Sequence, residues 1–166
     1  DDPAQGFVRG RVFAHPEMNF RFEAPEGFQL LNGASEVTAA GPGGAAIRFD
    51  LAPESRSHRG PMRGYVADVW ARGQKLTGAE ALNVNGMEGG SGVLRTNTQS
   101  GPVDVRLTAI RFAPDLIFRF QFNKHLRQQL HALSKKVTIQ VCADLAKVVQ
   151  KCNSRVGHRV ASFVMS

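Results

Sequence analysis

Cysteine is scarce in this sequence: there are two, Cys142 and Cys152, and no C-x-x-C pair. Two such residues fit buried thiols or a single disulfide closing a short loop, and they do not fix a redox compartment. Long apolar runs are missing too. No stretch reaches the ~18 residues of a spanning helix, and mean hydropathy is -0.22, so no transmembrane helix is predicted. No H-E-x-x-H occurs among the five histidines, His15, His58, His125, His131 and His158, and none pairs at i, i+4. The two-histidine helix face of a zinc peptidase is therefore not encoded here. His125 and His131 are six apart, which places them on different faces of a helix. The strained serine elbow G-x-S-x-G is absent as well.

Acids run short in the last third. Residues 119 to 166 hold nine Lys/Arg against the single Asp144, a balance of +8. Residues 1 to 118 hold twelve against thirteen acids, a balance of -1, which makes +7 for the 166-residue chain. Such asymmetry points to a nucleic-acid or acidic-partner surface. The basic residues are spread rather than clustered, however, which better fits a solvated lysine-rich helix face.

What is abundant is alternation around phenylalanine. With 42% hydrophobic residues the chain can bury a core. Residues 7–13 and 18–24 read as strands, separated by His15-Pro16-Glu17, where Pro16 removes a ladder donor. Pro25-Glu26-Gly27 turns the chain. Residues 36–40 make a further strand. "GPGG" at 41–44 is a turn, and Ile47, Phe49 and Leu51 then alternate with Arg48 and Asp50, the pattern of a half-buried strand. Pro61 suits a helix entry. Met62, Tyr65, Val66, Val69 and Trp70 form an amphipathic stripe that Gly73 ends. Asn85-Gly86 is a tight-turn signal. Val103 to Phe112 and Leu116 to Phe122 alternate on either side of Ala113-Pro114-Asp115, which predicts a hairpin. From Lys124 the period shifts to Leu126, Leu130, Leu133, Val137 and Val141, which predicts a long helix covering the Phe118-Phe120-Phe122 face.

The expected fold is thus α+β: an antiparallel sheet with one short amphipathic helix and a long C-terminal helix packed on it. Residues 1–9 ("DDPAQG…") read as a linker, residues 10–150 as one domain, and residues 151–166 as a tail beginning a further segment.

Motifs that could carry chemistry reduce to structure. His15 and Glu17 could be imagined as two metal ligands, but turn chemistry explains them with fewer requirements. "GPGGAAIRFD" lacks the following helix and the Gly-Lys-Ser/Thr of a phosphate loop. The glycines of "GMEGGSG" suit a bulge or a close backbone approach. Cys142 has no base beside it and reads as a structural thiol. Glu17, Glu23, Glu26 and Asp50 are scattered acids. Tyr65 and Trp70 fit the helix stripe and read as core. The phenylalanine row could stack nucleobases, but it lacks the glycine-containing pattern of RNA-recognition sheets. No catalytic, cofactor-binding or metal residue is predicted, and no cofactor.

"FAHPEMNFRFEAPEGFQLLN", "GPGGAAIRFD", "VNGMEGG", "VRLTAIRF" and "FRFQF", in this order over residues 10 to 123, resemble a known pattern. It is that of the C-terminal region of alphaproteobacterial envelope zinc metallopeptidases related to the CAAX prenyl proteases and BepA. The strand-PEGF-strand opening is also similar in architecture to PsbP-like domains. The first resemblance implies a periplasmic, non-catalytic accessory domain that docks onto the peptidase, its substrate or an envelope partner. Two further readings stay open. One is a nucleic-acid-binding module using the basic C-terminal third. The other is a small-ligand domain with a pocket between the sheet and the Trp70 helix.

Overall fold

The computed structural model describes residues 5–125 and 138–141. The first apolar run is split by a turn at Gly10, whose φ of +58° suits glycine. It gives β1 (Phe7–Arg9) and β2 (Val12–His15), and β3 (Phe20–Glu23) follows the His15-Pro16-Glu17 turn. In that turn the Asn19 N–H donates to the Pro16 carbonyl at 3.1 Å. After Pro25-Glu26-Gly27 come β4 (Gln29–Asn32) and β5 (Glu36–Ala40). A single 3-10 turn (Pro42–Gly44) then leads into β6 (Ala46–Leu51).

The expected short helix is present. α1 (Met62–Gly64) continues directly as a π-helical segment (Tyr65–Trp70). Its first free N–H, that of Met62, donates to Glu88 Oε1 at 2.9 Å, so a carboxylate from a neighbouring strand does the work of a missing cap. The loop before the helix is tied down by Arg111, which donates to the carbonyls of His58 and Gly60 at 3.2 and 2.9 Å.

Four long strands complete the main sheet. They are β7 (Leu76–Val84), β8 (Met87–Thr98), β9 (Gly101–Ala113) and β10 (Leu116–His125). The β7–β8 turn is Asn85-Gly86, with φ of +52° and +83°. This is the left-handed pair that an Asn-Gly hairpin requires. β9 and β10 form the expected hairpin across Pro114-Asp115.

Every ladder is antiparallel. The strands form a seven-stranded sheet, β4-β5-β6-β10-β9-β8-β7, and a four-stranded sheet, β1-β2-β3-β11, where β11 is Thr138–Val141. This corrects the α+β expectation: the fold is mainly β, and no long C-terminal helix is present among the described residues. The predicted helix over 124–141 fails at both ends. Lys124 and His125 belong to β10, and Thr138–Val141 pairs with β3 in the register Ile139↔Phe22. The four residues Thr-Ile-Gln-Val carry three β-branched side chains, which favour a strand. Leu126, Leu130 and Leu133 lie outside the described residues.

The phenylalanine face is covered by strands instead. Phe118, Phe120 and Phe122 are fully buried, and Phe13, Phe20 and Phe22 of the small sheet pack over them together with Phe49. Phe20 sits 4.4 Å from Phe118 between ring centroids, and Phe22 meets Phe120 edge-on at 5.4 Å. Each buried side chain of this size contributes about 1.5–3 kcal/mol.

The opposite face of the large sheet carries a second core, in which Met62, Tyr65 and Val66 of the helix meet Val105, Leu107, Ala109 and Ile117. Gly90 lets the helix lie directly on β8. A Cβ there would overlap the backbone at Met62 and Arg63, so the glycine run does mark a close backbone approach. The ladder between β7 and β8 also shifts register between Thr77 and Glu80, a bulge.

Candidate functional site

The helix covers only half of its side of the large sheet. It lies over β8 and β9 and over Ile117 of β10. Among the described residues, nothing covers the face made by β4, β5, β6 and the rest of β10 beyond that step. Strand alternation and ladder register decide which side chains share it. From β4 come Gln29 and Leu31. Opposite them stand Ala40 and Thr38 of β5, followed by Glu36. From β6 come Ala46, Arg48 and Asp50, and from β10 Asn123, Gln121 and Arg119. None of these side chains is buried, and Leu31 is 71% exposed.

The charges on this face are matched internally. Arg119 donates Nε and Nη2 to Asp50 Oδ1 and Oδ2 at 2.8 and 2.6 Å, a two-pronged pair whose side chains are only 15% and 12% exposed. Arg48 pairs with Glu36 and reaches Asp50 at 3.5 Å. Such bidentate arginine pairs fix geometry as well as charge. At the step, the Arg119 guanidinium lies 5.0 Å from the Trp70 ring centre, a cation-on-ring contact.

Behind it, Tyr65 Oη donates to Glu54 Oε2 at 2.8 Å. Burial and that hydrogen bond push the Tyr65 phenol up to about 12. The phenol thus stays protonated near neutral pH and is not poised as a base or nucleophile. Burial opposes the charge on Arg119, but Asp50 outweighs it and raises its pKa further, so the guanidinium is permanently charged.

The residues singled out from sequence fall as follows. His15 accepts the Met18 N–H on Nδ1 at 3.4 Å, a turn contact. Glu23 pairs with Arg11 at 2.7 Å, on the small sheet and away from Asp50. Glu17 and Glu26 lie in turns. Tyr65 is buried as expected, and Trp70 is partly buried, packed against the second core at the step. Among the described residues no cluster of three His, Cys, Asp or Glu could hold a metal. Likewise, no described helix is long and apolar enough to cross a membrane. Cys142, Cys152, His131 and His158 lie outside the described residues, as does most of the basic segment. Arg119, its first cation, is committed to Asp50.

The open face itself was not read from the sequence. Its signal was present in the polar positions of "IRFDL" and "FRFQF". Pairing Asp50 with Arg119, 69 residues away, requires the strand order.

No protein-family model matches the sequence, and no curated protein matches it. Solved structures do. A crystal structure from Bacteroides thetaiotaomicron is similar over 81% of this chain, with a TM-score of 0.57 and 11% identity. The chain spans 49% of that protein's length. The solution structure of cyanobacterial PsbP (CyanoP) from Synechocystis is similar over 81% of this chain and 96% of its own, with a TM-score of 0.51 and 10% identity. At such identities the likeness is one of fold, and the architecture is PsbP-like.

Proposed function

We propose that this chain is a non-catalytic accessory domain of a periplasmic zinc metallopeptidase, and that it docks through the open half of its seven-stranded sheet. The open face is the observation that carries the reading. It is a sheet surface whose ion pairs are already satisfied, with the exposed Leu31 at one side and the Trp70–Arg119 step at the other. A partner laid on it desolvates few unpaired charges, and aromatic and arginine groups are the residue types enriched where proteins meet. The resemblance of residues 10 to 123 to the C-terminal region of envelope metallopeptidases supplies the partner: the peptidase domain.

Three measurements test this. The reading frame upstream of Asp1 should encode an H-E-x-x-H segment; a frame without one removes the metallopeptidase context. That upstream segment, produced separately, should bind this chain in a calorimetric titration. Leu31→Asp combined with Arg48→Glu should weaken the binding at least tenfold, while unchanged binding would show that the face is not the docking surface. The isolated chain, given unfolded casein and zinc, should show no chelator-sensitive proteolysis.

A further inference from the structure

Between β2 of the small sheet and the β4–β5 turn and β6 of the large one lies a cavity of about 250 Å³ that opens to solvent. Its inner wall is core. Phe13, Val37 and Phe49 line it and are 2%, 4% and 4% exposed. Met18 and Leu51 complete the apolar lining, and Leu51, 42% exposed, stands at the mouth. This space lies away from the helix, and its mouth borders the open face at Glu36 and Asp50.

The mouth is polar but carries no free charge. Its two carboxylates are both engaged, Glu36 by Arg48 and Asp50 by Arg119. The Asn32 side-chain amide donates to the Gly6 carbonyl at 3.0 Å, which leaves its oxygen available. His15 accepts the Met18 N–H on Nδ1, so the hydrogen of the neutral ring sits on Nε2 as a donor. An ionised guest would leave water without gaining a counter-charge, which is costly. An uncharged guest with one hydroxyl or N–H at its outer end loses little.

Size narrows the class further. An apolar cavity of ~150 Å³ holds benzene, and drug-sized ligands need ~300 Å³ or more. We infer that this cavity binds a small uncharged aromatic molecule bearing one hydrogen-bonding group, of the class of simple phenols and indoles. The ring displaces water from the partly exposed apolar rim of Met18, Ala34 and Leu51, and the polar group stays at the His15–Asn32 rim.

The test is a methyl-detected NMR titration of this chain with p-cresol. Saturable shifts are expected at Met18, Val37 and Leu51, with a Kd on the order of 1 mM. The charged analogues p-toluate and 4-methylbenzylammonium should bind at least tenfold more weakly. Leu51→Trp, or Ala34→Trp on the same rim if the first variant fails to fold, should fill the space and weaken p-cresol binding at least tenfold. Leu31→Trp, on the open face, should bind as the parent does. Absence of saturable shifts up to the solubility limit, or equal binding by the rim variants, would overturn the site. Equal affinity for the charged analogues would overturn the ligand class.

Discussion

At the scale of single residues, Tyr65 is the most readily tested. It is the sole tyrosine in the chain, so its ionisation can be followed by absorbance without interference. Burial and the hydrogen bond to Glu54 push it to about 12, against an ordinary value of 10.0. The folded state therefore holds this proton more tightly than the unfolded state. Its contribution to stability is fully present below pH 10 and is lost as pH rises through about 12. A shift of this size corresponds to about 2–3 kcal/mol. The tyrosinate signal should rise with a midpoint near 12 in the native protein and near 10 in concentrated urea. Tyr65→Phe should flatten the fall in stability between those pH values. A native midpoint near 10 would mean that the phenol is not held as described.

At the scale of elements, the small sheet should dominate the stability of the core. Phe20 is fully buried and touches Phe13, Phe22, Phe49, Phe112 and Phe118. Phe20→Ala should cost about 3–5 kcal/mol in urea melts, while Gln29→Ala on the open face should stay within about 0.5 kcal/mol. Equal effects would mean that β3 does not cover the large sheet. The strands and turns of this core were legible because alternation and turn residues act locally. Phe20 and Phe22, Ile47 and Phe49, and Asn85-Gly86 all announce themselves within a few positions. What covers the Phe118-Phe120-Phe122 face was not legible. Leu126, Leu130, Leu133, Val137 and Val141 satisfy a helical period, yet Thr138–Val141 sits in a strand because β3 offers it an unpaired edge. Tertiary pairing overrode a local pattern. The open face was hidden for a related reason: a polar position on a strand looks the same whether a helix, a partner or water lies over it.

At the scale of the whole molecule, the large sheet is two ribbons. One is β4-β5-β6 and the other is β10-β9-β8-β7, and within each ribbon every pairing joins strands adjacent in sequence. The ribbons meet only at the ladder between β6 and β10, where Leu51 faces Phe118 and Ala46 faces Asn123. Hairpin pairings close short loops and form fast, whereas this ladder must close one of some 70 residues, as Asp50 and Arg119 show. The order of events follows from that difference. Gly86→Ala, which strains the β7–β8 turn at a φ of +83°, should slow folding in stopped-flow chevrons. Asp50→Ala should leave the folding rate nearly unchanged and speed unfolding instead; the reverse pattern would place the long-range ladder in the transition state. The ion pair at the junction then acts as a latch: it does little to choose the path into the native state, and it sets how long the native state lasts.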